Sequence, residues 1–127
     1  MADLNRGNRP LSPHLQVYRL PLVANISILT RITGVAMMAG GILVVWWFVA
    51  GAYSPAYFAT ADGLLTSWFG KLVLIGSLWA LWFHFANGIR HFFFDFGKGM
   101  DLPTVAWTNW LVIGASVVLT LLTLLLV

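Results

Sequence analysis

Two of the three histidines in this chain, His84 and His91, sit seven residues apart in HFANGIRHFFFDFG, near the end of a long apolar stretch. An ionisable side chain at the edge of a hydrocarbon layer is costly to place and is seldom without function. On a helix turning about 100° per residue, His84, Gly88, His91 and Asp95 fall at roughly 0°, 40°, −20° and 20°. They therefore share one face, from which Arg90 points well away. Imidazole on such a face has two uses. It can be an axial ligand of haem iron, with Gly88 one turn on leaving room for a flat, bulky group. It can equally hydrogen-bond a neighbouring helix while Gly88 permits close packing. Spacing alone leaves both open, and His91 at the helix end reads readily as an interfacial anchor.

If His84 is a ligand, a six-coordinate iron needs a second one at similar depth. His91 lies about 10 Å further along the same helix and cannot reach the same iron. The other apolar stretches contain no histidine, and His14 belongs to a polar arm. Met37 and Met38 remain as ligands within the chain; otherwise the second ligand comes from a partner. A second stripe, Ser27, Arg31, Gly34, Met38 and Gly41, lies within about 40° of Ser27 on the first apolar helix. An arginine one turn into a span faces protein, water or an anionic group. Ser27 and Arg31 offer a hydroxyl and a strong donor that suit a quinone carbonyl or haem propionates. The plainer alternative is a snorkelling arginine beside small packing residues.

The elements that must hold these groups are legible from composition. Of 127 residues, 60% are hydrophobic and 9% charged, against roughly a quarter charged in soluble domains. We expect an all-α integral membrane protein forming one unit over residues 1–127. Three stretches, about 27–50, 68–92 and 105–127, suit the roughly 20 helical residues that cross a bilayer. Residues 1–25 form a polar, proline-broken arm without the apolar core of a signal peptide, and read as part of the mature protein. The connecting GAYSPAYFATADGLLTS and DFGKGMDLPT carry turn residues and read as loops. Arg6, Arg9, Arg19 and Arg31 cluster before or at the start of the first span. Lys98 and Arg90 lie by the second connection, whereas the first has no Lys or Arg. The positive-inside rule then places the N-terminus in the cytoplasm and the C-terminus in the periplasm, with Lys71 snorkelling at a helix end. The third span has no ionisable group, so it reads as packing or lipid-facing surface, with Thr120 and Thr123 bonding back to their own backbone.

The absence of cysteine excludes disulfides, thiolate zinc sites and cysteine-held iron–sulfur clusters within these residues. There is no P-loop, no G-x-G-x-x-G and no intramembrane carboxylate pair. A net charge of +3, thinly scattered, gives no case for nucleic acid. A subunit of a larger assembly fits better than an enzyme working alone. A small channel or proton carrier would need polar residues through the full membrane depth.

RPLSPHLQVYR (Arg9–Arg19), SILTRITGV (Ser27–Val35) and the H-x-x-x-G-x-R-H-x-x-x-D pattern from His84 to Asp95 occur in that order. In this the chain resembles the cytochrome b membrane-anchor subunits of succinate dehydrogenase, respiratory complex II, over almost its whole length. The third span matches only in character. The resemblance implies a multi-pass subunit of the bacterial inner membrane that anchors a flavoprotein subunit and an iron–sulfur subunit. Those partners carry FAD and the clusters. It implies that His84 ligates haem b, with the other ligand supplied by a second small membrane subunit, and that Ser27 and Arg31 help form a ubiquinone-reduction site. Arg31 and His91 would lie on the propionate side. The anchor of a fumarate reductase, running the reaction in reverse, and a haem-free structural anchor are the alternatives. One departure is Thr30, where many relatives have histidine. Any propionate contact made by that histidine is here absent, taken by the threonine hydroxyl, or supplied elsewhere.

Overall fold

The computed structural model describes residues 12–127. Arg6 and Arg9, counted in the basic cluster, and the start of the RPLSPHLQVYR motif lie outside the described residues. The elements are α1 (Leu22–Tyr53), α2 (Pro55–Leu65), α3 (Trp68–Asp95) and α4 (Leu102–Leu126). Among them α1, α3 and α4 are long and apolar enough to cross a membrane. All three are longer than the expected spans: α1 begins five residues earlier and ends three later than the 27–50 stretch, and α3 continues to Asp95. Backbone hydrogen bonding carries each helix past the apolar run that marks it in the sequence.

The first connection departs from expectation, because it is a helix rather than a loop. Ser54 caps it, accepting a hydrogen bond from the Tyr57 N–H at 3.2 Å, and Pro55 occupies the first turn. Proline suits that position because its missing N–H has no partner in a helix's first turn anyway. In the sequence the same Ser-Pro pair reads as a turn signal. Two tryptophans of α1 hold α2 down: Trp46 Nε1 donates to the Tyr57 hydroxyl at 2.7 Å, and Trp47 Nε1 donates to Asp62 Oδ1 at 3.1 Å.

Helix α3 packs against both α1 and α4, and α1 also touches α4. The apolar centre is small: Ile26, Phe83 and Val112, one residue from each spanning helix. Thr33, Asn87, Arg90, Asn109, Ser116 and Thr120 are buried as well, while large apolar side chains cover the outside. In lipid this polarity is the stable one, since tails solvate leucine as well as a protein core does. Association then depends on close packing and hydrogen bonds between helices. Trp82 Nε1 donates to Thr123 Oγ1 at 3.0 Å across α3 and α4. Thr120 and Thr123 each donate back to their own helix, as the sequence suggests. At the α1–α3 crossing, a Cβ on Gly40 would stand 2.7 Å from Ser77 Oγ, so glycine sets how closely the two backbones approach.

Helix α3 ends in a Schellman motif that fixes where its polar end points. The Lys98 N–H reaches Phe93 O at 2.9 Å, the Gly97 N–H reaches Phe94 O at 2.8 Å, and Gly97 takes φ 68°. Only glycine adopts that backbone without strain. Asp101 then caps α4 through the Thr104 N–H at 3.0 Å. Hydrogen bonds from the Thr104 side chain and backbone hold its carboxyl below the ordinary range.

The α2–α3 corner gives a stability prediction. A Cβ on Gly70 would collide with the backbone carbonyl oxygens of Leu64 and Leu65 and come within 2.7 Å of the Leu65 carbonyl carbon. Backbone cannot swing aside as a side chain can, so Gly70→Ala should cost about 3 kcal/mol or more. Gly63→Ala has open space around its Cβ and is the matched control. Denaturation in mixed micelles that ranks the two variants equally would rule this corner out as a constraint.

Candidate functional site

His84 lies half-buried on α3, facing α1. Its Nδ1 is 3.2 Å from Thr30 O and 3.4 Å from Thr33 Oγ1. A carbonyl oxygen can only accept. The Thr33 hydroxyl proton is already directed to Thr30 O at 3.0 Å, so that hydroxyl too receives from the ring. Both contacts require the proton on Nδ1, which leaves the Nε2 lone pair unprotonated. Among the described residues Nε2 has no hydrogen-bond partner. A ring held at Nδ1 by a backbone carbonyl, with Nε2 free, is the arrangement metal-ligating histidines adopt.

Two glycines border the ring. A Cβ on Gly34 would stand 3.4 Å from His84 Cε1, so a larger residue there would press on the imidazole. A Cβ on Gly88 would meet nothing within 4 Å, so there is open space beside α3 one turn from His84.

Thr30 is a hub of the α1–α3 contact. Its carbonyl receives His84 Nδ1, its hydroxyl donates to Ile26 O at 2.8 Å, and that same hydroxyl accepts from Asn87 Nδ2 at 2.7 Å. Asn87 is 1% exposed and its Oδ1 has no partner. Sequence alone did not single out Asn87. The available signal was an amide three residues beyond His84, on the flank that turns toward α1.

Ser27 and Arg31 are placed differently. Both are exposed on α1, one turn apart. Neither approaches His84 by a hydrogen bond among the described residues. His91 is also exposed, with its ring edge-on to Phe94 at 5.7 Å between centroids. Asp95 lies exposed at the end of the helix. The structure thus brings together His84, Thr30, Thr33 and Gly34, and leaves Ser27, Arg31 and His91 on surfaces open to lipid, a partner or a ligand.

Arg90 does point away from the His84 stripe, into the α3–α4 seam. It is 9% exposed, Nη1 donates to Asn109 Oδ1, and the guanidinium carbon lies 4.9 Å from the Phe94 ring centroid. Asn109, the one amide of α4, adds a buried polar contact to the packing face that Val112 and Thr123 already give this helix.

The bond between Asn87 and Thr30 can be measured by a double-mutant cycle. Interhelical hydrogen bonds in membranes average about 0.6 kcal/mol and reach roughly 1.7. Asn87→Leu and Thr30→Val should each destabilise the protein. The double variant should fall short of their sum by an amount in that range. Strict additivity would mean that the bond contributes nothing.

The comparisons with known proteins point one way. Residues 5–123 match the family described as succinate dehydrogenase/fumarate reductase transmembrane subunit. The chain is 56% identical over 124 residues to the succinate dehydrogenase cytochrome b556 subunit of Paracoccus denitrificans, covering 98% of this chain and 95% of that protein. It is 37% identical over 116 residues to the subunit of the same name from Rickettsia felis, covering 91% of this chain and 90% of that one. It is 35% identical over 112 residues to the mitochondrial cytochrome b560 subunit of Sus scrofa, covering 84% of this chain and 64% of that protein. Apolar spans, the histidine motif and near full-length similarity agree, and the chain belongs to the family of succinate dehydrogenase cytochrome b membrane subunits.

Proposed function

We propose that this chain anchors the flavoprotein and iron–sulfur subunits of a succinate:ubiquinone oxidoreductase to the bacterial inner membrane and shares haem b with a second small membrane subunit. The observation that carries the reading is the contact of His84 Nδ1 with Thr30 O at 3.2 Å. That contact commits Nδ1–H to Thr30 O, so Nε2 is the atom available to iron. The residues fit a haem: an oriented imidazole, open space at Gly88, and no bulk at Gly34 to displace the ring. A bound haem would supply a reversible one-electron iron couple, and His84 would be the residue of this chain that holds it. His91, about 10 Å along the helix, is too distant to hold the same iron; of the sources left, Met37, Met38 and a partner subunit, the family resemblance favours the partner.

Ser27 and Arg31 form the chain's contribution to the quinone site. Exposed side by side on α1, they present a hydroxyl and a cationic donor to a carbonyl oxygen. They orient the quinone and stabilise negative charge as it develops there. The N-terminal arm and the α3–α4 connection face the cytoplasm, where the soluble subunits dock, and the C-terminus faces the periplasm. The catalytic flavin chemistry belongs to a partner subunit. The names of the relatives favour the succinate-oxidising direction over a fumarate reductase.

The test is the purified assembly. Dithionite-reduced minus oxidised spectra should show b-type bands, and succinate should reduce ubiquinone. An assembled complex without b-type bands would leave His84 a packing residue and this chain a haem-free anchor.

A further inference from the structure

Three donors converge on one oxygen of α1. His84 Nδ1 lies 3.2 Å from Thr30 O, and the Thr33 hydroxyl donates to that same oxygen at 3.0 Å. A carbonyl inside an α-helix also accepts the N–H four residues on, here that of Gly34. A carbonyl oxygen has two lone pairs, so these bonds compete. The ring proton is shared in turn, because Thr33 Oγ1 stands 3.4 Å from Nδ1. Thr33 therefore takes up part of the carbonyl's accepting capacity and gives the ring only a longer contact in exchange.

A threonine hydroxyl that bonds back to its own helix is ordinary, and Thr120 does so on α4, donating to Ser116 O at 2.7 Å. Thr33 differs in what else it meets. It is 2% exposed, and its hydroxyl touches the one ring that has a free nitrogen to offer iron. Gly34, next in sequence, lets the ring come this close, since even a Cβ there would stand 3.4 Å from Cε1. Asn87 secures the crossing independently, its Nδ2 donating to the Thr30 hydroxyl at 2.7 Å. Loss of the Thr33 hydroxyl therefore leaves Thr30 O within reach of the ring.

We propose that Thr33 is a positioning residue that sets how strongly His84 donates to iron, by limiting the hydrogen bond from Nδ1–H to Thr30 O. The proposal rests on the reading of His84 as a haem ligand. A stronger bond at Nδ1–H moves electron density toward Nε2, and a more electron-rich ligand favours oxidised iron over reduced. With Thr33 in place that bond is moderated, and the haem is easier to reduce.

The test is redox potentiometry of the assembled complex, followed in the b-type bands. Thr33→Val keeps the branched shape, removes the hydroxyl and should lower the midpoint potential. One neutral hydrogen bond is worth a factor of about five, which at about 59 mV per tenfold gives roughly 40 mV. Thr33→Ser restores the hydroxyl and should recover most of the shift. Thr120→Val, which removes a buried back-bonded hydroxyl from α4, should leave the potential unmoved. Thr33→Ala carries the same prediction as Thr33→Val if the latter does not assemble. Failure of both to assemble beside an intact Thr120→Val would make Thr33 a packing residue and overturn the proposal. An unchanged or raised potential in Thr33→Val, no recovery in Thr33→Ser, or an equal shift in Thr120→Val would overturn it as well. Bands that survive in His84→Ala would remove the ligand reading itself and the proposal with it, so the two failures are told apart.

Discussion

His84→Ala is expected to strip the assembled complex of its b-type absorption bands, whereas His91→Ala is expected to leave them in place. The two residues share a helix face but differ in what holds them. The His84 ring is oriented by a backbone carbonyl and a buried hydroxyl, which fixes which nitrogen carries the proton. The His91 ring is exposed and touches Phe94 edge-on, and among the described residues no hydrogen bond sets its tautomer. Loss of a residue that merely orients a ligand already lowers metal affinity by about 10- to 100-fold, so loss of the ligand itself should exceed that. Imidazole added to His84→Ala should restore part of the bands by entering the vacated volume. Gly34→Val offers an independent check, since its side chain presses on His84 Cε1 and should perturb the spectrum while the ligand atom is retained. Normal bands in assembled His84→Ala, or equal loss in the two histidine variants, would defeat the assignment.

This prediction draws on information the sequence carries only in part. That His84 is deep, that Gly88 sits one turn away and that His91 is too distant all follow from helix periodicity. The proton on Nδ1 does not, because it depends on which carbonyl of α1 meets the ring. Thr30 shows the same limit. As a letter in the sequence it is a departure from the pattern that the resemblance implies, of unknown consequence. In the fold its main-chain carbonyl, which any residue would offer, holds His84, while its hydroxyl ties Asn87 to α1.

The spans were legible because an apolar run of about 20 or more residues suits a bilayer and little else. The cap at Asp101 was not legible in this way: the third span is expected from about 105, three residues after α4 begins. Nor was helix α2, since Ser-Pro begins turns and helices alike, and only the Trp46 and Trp47 bonds from α1 decide between them. Arg90 marks a third kind of gap. Periodicity gives its direction away from His84, but not that α4 would meet it with Asn109 and an apolar groove. Helix faces follow from local sequence, whereas the neighbour each face meets is a property of the packed bundle.

Arg31→Leu should lower succinate-driven ubiquinone reduction by about 100-fold, while succinate oxidation by a soluble artificial acceptor stays unchanged. Arg31 is exposed on α1 one turn from Ser27, and at that position its charge is free to meet a carbonyl oxygen in a medium of low dielectric. Removing one such donor from a site where negative charge develops costs about 100- to 1,000-fold in turnover. Arg31→Lys keeps the charge but loses the planar fork, so it should retain more activity than leucine. Ser27→Ala removes a neutral hydrogen bond, worth about 1 kcal/mol, and should cost roughly fivefold. The pattern separates three roles for the arginine. If it only snorkels to headgroups, neither variant changes quinone kinetics. If it serves the haem propionates alone, Arg31→Leu shifts the b-type spectrum while Ser27→Ala is silent in both assays. If the two residues hold quinone, both variants lower quinone turnover and Ser27→Ala leaves the haem spectrum unaltered. An unchanged artificial-acceptor rate would then locate the loss at the membrane end of the complex, apart from the flavin chemistry proposed for a partner subunit.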